Sequence, residues 1–352
     1  MIQQLRNVQA ESGATFEQLD TGITVPASFG NDAKAICASR EGVALVDRSH
    51  WGRIQVSDED RLRFLHNQST NDFQQLQPGL GGDTVFVTST ARTIDLATAY
   101  VMEDAVLLLV SPNRRQQIVA WLDRYIFFSD KVKLTDVTDD TATFSLIGPT
   151  SKSLLENITG EAIISQPYGS HRLVNLGDGQ VRVAVGSGLA TPGYTLMVGA
   201  SQAATLWKKL VAAGAVPMGD RTWEQLRIEQ GRPVPDRELT EDYNPLEAGL
   251  WNSISFDKGC YIGQETIARL NTYKGVKQHL WGIRLSAPAE PGTVLTVGED
   301  KVGKLTSCTE TDTGFFGLAY VRTKAGGEGL KVQVGDVEGE IVDVPFLTRT
   351  PQ

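Results

Sequence analysis

The sequence predicts an α+β fold in which two ferredoxin-like α/β repeats precede a C-terminal β-barrel, and three observations carry that expectation. From residue 52 the apolar pattern switches between strand and helix periods in the order β-α-β-β-β-α-β. A similar order begins again at residue 143. Beyond residue 274 the chain breaks into strands punctuated by glycine and proline, too many and too short for a sandwich of large sheets.

In the first repeat, 53–56 alternates as a strand, 60–66 has helical spacing, and 84–88 and 93–101 read as strands. The apolar run 105–110 is a buried strand, 114–127 carries Ile118, Trp121, Leu122, Tyr125 and Ile126 at helical spacing, and 132–137 returns to strand. In the second repeat, 144–147 is a strand, Pro149 sits where the first turn of a helix tolerates it, and 151–158 is the helix. Strands at 172–176, 181–185 and 194–198 follow, then an amphipathic helix over 203–213 ending at Gly214. The halves share element order but little residue identity, so a coincidence of common motifs is the competing reading.

A helix over about 222–230 is stopped by Gly231, which supplies a left-handed cap, and by Pro233, which lacks an amide hydrogen. Strands at 277–285, 293–297, 301–308, 315–321, 330–334 and 338–344 build the barrel. These patterns place domains at 1–140, 141–274 and 275–352.

With 352 residues, 41% hydrophobic and 21% charged, the chain has ample core for two or three domains. A net charge of −9 offers no basic footprint for nucleic acid in bulk, although a local pocket for a small anion is compatible with it. No apolar run approaches the roughly 20 residues that cross a bilayer, which argues against a membrane protein. The first 28 residues lack both a signal-peptide pattern and the Arg/Ser-rich character of a transit peptide. A cytoplasmic location is the expectation, with a plastid or mitochondrial one after processing as the alternative.

The three cysteines, Cys37, Cys260 and Cys308, are odd in number and scattered, which argues against a disulfide framework. There is no C-x-x-C pair and no zinc-binding His spacing, so a resident metal or a stable cluster is not expected. His50, His66, His171 and His279 stand singly, and none is assigned a role.

The most informative segment is 258–265, K-G-C-Y-I-G-Q-E, between a loop and a helix-like stretch. Its glycines let the backbone pass close to a ligand or a neighbouring strand. Cys260 lies near a helix start, with Lys258 upstream and Arg269 one turn in, where positive charge would favour the thiolate. That suits a nucleophile, a redox group or a transient ligand. On the residues alone, a small buried cysteine among turn glycines is the competing reading.

The string resembles the signature of the YgfZ family, folate-binding proteins related to the glycine-cleavage T-protein, through Lys258, Gly259, Cys260, Gly263, Gln264 and Glu265. Weaker matches are Asn244-Pro245, Ala248-Gly249-Leu250, Gly303, Thr306-Ser307, Gly317 and Ala319-Tyr320. The resemblance implies a three-domain, T-protein-like cloverleaf around a central hole for tetrahydrofolate or a derivative. It also implies a role in assembly or repair of iron-sulfur enzymes, with client proteins or assembly factors as partners. Residues 252–277 resemble the branch found in photosynthetic organisms.

By the same resemblance, Glu229 in L-R-I-E-Q-G is the counterpart of the carboxylate that binds the pterin. A carboxylate suits that task, because an aminopyrimidine edge presents adjacent donors. Asp95 in R-T-I-D-L-A stands where the T-protein has an Asp pair, and Leu96 replaces the second acid. The T-protein's Tyr-Thr-Gly-Glu-Asp-Gly falls on 188–193, without its Tyr and Glu. Of the aromatics near the motif, Trp223, Tyr243, Trp251 and Tyr261, Tyr261 is the best candidate to stack on a pterin, against a packing role for the set.

The candidate catalytic residues are therefore Cys260 and Lys258. Glu229, Asp95, Tyr261, Gly259, Gly263, Gln264, Glu265 and Arg269 are the candidate folate-binding residues. The leading expectation is a folate-binding accessory protein for iron-sulfur enzymes. The alternatives are a folate-dependent aminomethyl or methyl transferase, and a non-enzymatic interaction module.

Overall fold

The structure, a computed structural model, describes residues 2–176 and 179–350. The chain opens with α1 (Ile2–Glu11), the hairpin β1 (Thr15–Gln18) and β2 (Thr24–Ser28), α2 (Asp32–Glu41) and β3 (Ala44–Asp47). The first repeat follows as β4 (Gly52–Ser57), α3 (Arg61–Gln68), β5 (Gly81–Val87), β6 (Thr93–Val101), β7 (Ala105–Val110), α4 (Arg115–Asp123) and β8 (Lys133–Asp136). This is the element order read from the sequence. It folds into a five-stranded sheet ordered β5-β6-β7-β4-β8. All nine residues of β6 and all six of β7 are buried, and β7 is accordingly an unbroken apolar run.

The second repeat is β9 (Thr141–Ile147), α5 (Ser151–Thr159), β10 (His171–Leu176), β11 (Gly179–Val185), β12 (Gly193–Gly199), α6 (Ala203–Ala212) and β13 (Val216–Met218). Its sheet is ordered β10-β11-β12-β9-β3-β13. The two sheets correspond strand for strand, except that β3 is inserted between β9 and β13. The repeat is thus one of topology. Although β3 precedes the first repeat, it pairs antiparallel with β9, Ala44 opposite Ile147, and parallel with β13, Ala44 opposite Val216.

α7 (Asp220–Gln230) and α8 (Gln264–Thr272) flank the signature loop. The C-terminal strands β14 (Gln278–Leu285), β15 (Val294–Val297), β16 (Asp300–Thr311), β17 (Gly314–Arg322), β18 (Lys331–Val334) and β19 (Val337–Val342) close into a barrel ordered β14-β17-β16-β15-β18-β19. Closure is made by β14 against β19, with Gly282 opposite Val342.

The chain divides into two compact units. The first takes the chain up to Phe64, then Phe73–Asp83 and Ala97–Glu224; the second takes Leu65–Asp72, Thr84–Leu96 and everything from Gln225 onward. In the first, Phe144, Leu146 and Leu196 of the sheet pack against Leu206, Trp207 and Leu210 of α6, and Trp207 stacks on Phe29 at 5.7 Å. Burying one such side chain contributes about 1.5–3 kcal/mol. In the second, Leu239, Leu246, Trp251, Tyr261 and Ile267 share a core with Leu280, Leu318 and Tyr320 of the barrel.

Candidate functional site

Lys258 is buried, and its ammonium donates to three backbone carbonyls: His66 at 2.5 Å, Ser69 at 2.8 Å and Asn71 at 2.6 Å. Burial lowers its pKa to about 7, with Asp72 opposing the shift. An ammonium has three N–H donors and here all three are used, which favours the charged form. The nitrogen also lies 4.7 Å from the centre of the Tyr261 ring. Lys258 therefore fastens the 66–71 turn to the signature, a positional task that the sequence alone did not reveal.

Gly263 is the N-cap of α8 at φ 82°, in the left-handed region, and a Cβ there would stand 2.8 Å from the Thr88 carbonyl. Only glycine fits such a position without backbone movement. Gln264 opens α8 and its side-chain amide donates to the Lys258 carbonyl at 3.4 Å, closing the loop on itself. Gly259, Cys260, Glu265 and Arg269 are exposed, whereas Tyr261 is buried and its hydroxyl pKa is raised by that burial.

Two details differ from the sequence expectation. Cys260 stands three residues ahead of the N-cap, and Arg269 belongs to the last turn of α8 rather than its first. The cysteine is exposed rather than a small buried side chain, and it forms no disulfide. What faces the loop instead is His66. A Cβ on Gly259 would lie 3.5 Å from His66 Nε2, and His66 Nδ1 is 3.0 Å from Asp72 Oδ1.

The two candidate pterin carboxylates lie in the same compact unit as the signature. Glu229 is half-buried near the end of α7 and accepts a hydrogen bond from Gln225 Nε2 at 2.8 Å. Asp95 is fully buried in β6, and its neighbour Leu96 joins the hydrophobic core. Arg227, two residues before Glu229, forms a fully buried pair with Glu238 at 2.9 Å. Ser307 completes that pair, accepting from Arg227 and donating to Glu238 at 2.6 Å. A bulge in β16 at 305–307 interrupts the pairing register at this serine.

Around 244–248 the chain caps itself. Asn244 Oδ1 accepts from the amides of Leu246 and Glu247, while Glu247 Oε2 accepts from the Asn244 amide at 3.1 Å. Tyr243, Trp251 and Tyr261 share one core, and Tyr243 stacks on Tyr320 at 3.5 Å. Trp223 is not with them: it packs edge-on to Trp51 in the first unit, where Arg48 lies 3.8 Å over the Trp51 ring. The 188–193 stretch is in that unit too, with Gly188 directly beside the Arg48 guanidinium. Among the described residues no group of three or more His, Cys, Asp or Glu could hold a metal ion. Nor is any described helix long and apolar enough to cross a membrane.

Residues 5–258 match the GCVT N-terminal domain family. The chain belongs to that family. A chloroplastic protein of Arabidopsis thaliana, named provisionally as a transferase, is 51% identical over 325 residues, 92% of this chain and 75% of the relative. An aminomethyltransferase of Halalkalibacterium halodurans is 28% identical over 347 residues, 93% of each chain. The crystal structure of the glycine cleavage system aminomethyltransferase T from Bartonella henselae gives a TM-score of 0.86 at 19% identity, covering 99% of this chain and 98% of that one. At that identity the likeness establishes the GCVT fold, with its closed C-terminal barrel, as the sequence predicted.

Proposed function

We propose that this member of the GCVT family binds tetrahydrofolate or a derivative and supports assembly or repair of iron-sulfur enzymes through Cys260. The observation that carries the reading is the signature loop. Lys258 and Gly263 hold it rigidly, while Cys260 is presented to solvent between them. An exposed single thiol suits a transient step on a client better than a resident cluster, which usually takes four protein thiolates.

The donor set fits a folate. Glu229 and Asp95 are carboxylates, which when ionised only accept hydrogen bonds, and the aminopyrimidine edge of a pterin offers adjacent donors. Half-buried Glu229 would take that edge, with exposed Gly259, Glu265 and Arg269 and half-buried Gln264 as surface contacts, while buried Asp95 and Tyr261 would be reached only by a ligand that enters the core of the second unit. The folate would supply a one-carbon carrier or a binding signal; the chain's own residues orient it. The division into domains at 1–140, 141–274 and 275–352 belongs to the same proposal. The Arabidopsis relative, named chloroplastic, supports the plastid alternative for location over the cytoplasmic one.

A second reading, a folate-dependent aminomethyl or methyl transferase, draws on relatives named aminomethyltransferase that align over nearly the whole chain. Leu96 counts against it, since an apolar core residue occupies the place of the second acid. The test couples two measurements. Cells lacking the protein are supplied with wild type or Cys260→Ala, and iron-sulfur enzyme activity is assayed; purified protein is assayed for folate-dependent transfer from aminomethylated H-protein. The proposal expects lost rescue with Cys260→Ala and no turnover. Rescue by Cys260→Ala, or turnover with wild type, would overturn it.

A further inference from the structure

A cleft of about 500 Å³ lies within the first unit, lined by the start of α1, the start of β2, the turn after β3, Arg115 of α4 and the loop between β8 and β9. That is the size of a small-molecule site. Two of its side chains carry nitrogens with no partner in the protein. The Arg6 side chain, 13% exposed, bonds Gln9 and Asp47 through Nη1 alone, so Nη2 and Nε are unused among the described residues. The His50 side chain is 4% exposed, and its Nδ1 is buried without a hydrogen-bond partner. Asp47 ties the two residues together: Oδ2 accepts from Arg6 Nη1 at 2.6 Å, and Oδ1 accepts at 2.8 Å from the amide of Ser49, one residue before His50. A buried polar atom left without a partner is costly, and it marks a place where something else completes the bonding.

The unpartnered histidine nitrogen is a donor. Nε2 faces Asp220 Oδ1 at 3.6 Å, and burial, helped by Glu224, Glu17 and Asp47, raises the Asp220 carboxyl to about 7. Burial lowers His50 to about 3, so near pH 6 the acid holds a proton towards Nε2 and the neutral ring carries its own on Nδ1. The surroundings are short of negative charge. Arg6, Arg48 and Arg53 act on the ring against one carboxylate, Asp47. Arg53 is fully buried, and among the described residues its hydrogen bonds all go to neutral oxygens, including the carbonyls of Ser49 and Thr138, which line the cleft. A buried cation with no carboxylate in contact favours an anion close by. At the rim, Arg115 already grips one carboxylate, that of exposed Asp139, at 3.0 Å.

We propose that this cleft binds the carboxylate of a small organic acid with an apolar body. Arg6 supplies the forked pair of donors, Nη2 and Nε, whose spacing matches the two oxygens of a planar carboxylate. His50 Nδ1 supplies a further donor, and Ile2 and Ile23 of the lining cover the hydrocarbon. The site is separate from the proposed pterin carboxylates, since Glu229 and Asp95 belong to the second unit. It requires neither folate nor Cys260.

The test uses the full-length protein near pH 6 with hexanoate as the probe, hexanamide as its uncharged counterpart and inorganic phosphate as a different oxyanion. The chain has only four histidines, so proton NMR resolves their ring signals, and His50→Gln identifies the one from His50. Hexanoate should move that signal saturably with a Kd below about 1 mM, and hexanamide should bind at least about tenfold more weakly. In Arg6→Gln, hexanoate should also bind at least about tenfold more weakly. Should that variant not fold, because it leaves Asp47 unpaired in the core, the wild-type comparison of acid with amide decides alone. An unmoved His50 signal, equal binding of acid and amide, or phosphate bound as tightly as hexanoate would overturn the proposal. A failed folate titration would remove the pterin pocket and leave this result untouched.

Discussion

At the scale of single residues, Lys258 is the most constrained member of the signature. Replacing it with Met keeps most of the apolar stem but removes every donor from three carbonyls. Lys258→Met should lower stability in urea denaturation by about 2–4 kcal/mol, and a loss below about 1 kcal/mol would show that the clamp is dispensable. A second residue-scale expectation concerns His50 and Asp220, 3.6 Å apart in the first unit. Burial lowers His50 to about 3 and raises Asp220 to about 7. Between about pH 4 and 6.5 the folded pair carries one proton on Asp220 and the unfolded chain carries one on the histidine, so the counts cancel. In His50→Gln only the aspartate remains. Its raised pKa makes the folded state bind more protons, so stability should be highest near pH 4 and fall as pH rises to about 7, by up to about 4 kcal/mol. Denaturation midpoints for that variant that do not change with pH would contradict the burial of Asp220.

At the scale of elements, Gly263 decides how α8 begins. Gly263→Ala must place a methyl 2.8 Å from the Thr88 carbonyl at a left-handed φ, so it should cost about 2 kcal/mol or more and displace the loop around Cys260. Denaturation together with the accessibility of the thiol checks this, and an unchanged midpoint with unchanged accessibility would contradict it. Elements with a strong period were legible: the alternation at 53–56, the buried runs in β6 and β7, the helical spacing in α4 and α6. The N-terminal hairpin was not, because its strands span four and five residues and one contains Pro26. β13 was hidden for the same reason, since it is three residues long and includes Pro217, which an edge strand tolerates. Cys260 and Lys258 stood out as letters in a motif. The approach of His66 did not, because it depends on how a turn more than 180 residues upstream folds onto the signature.

At the scale of the whole molecule, the two repeats show one topology used twice, with β3 as the insertion that distinguishes them. Residue identity between the halves is slight, whereas the order of strand and helix periods repeats. This member of the GCVT family has the family's frame, with Glu229 half-buried, Asp95 buried, Leu96 in the core and a cysteine-bearing loop at the surface. Binding without transfer chemistry is the functional consequence proposed here. The most direct test is calorimetric titration of wild type and Glu229→Ala with tetrahydrofolate and its formyl derivative under anaerobic conditions. Saturable binding by wild type that weakens at least about tenfold in Glu229→Ala, a loss of about 1.4 kcal/mol, is the expected result. No binding by wild type, or equal binding by both proteins, would contradict the pterin pocket.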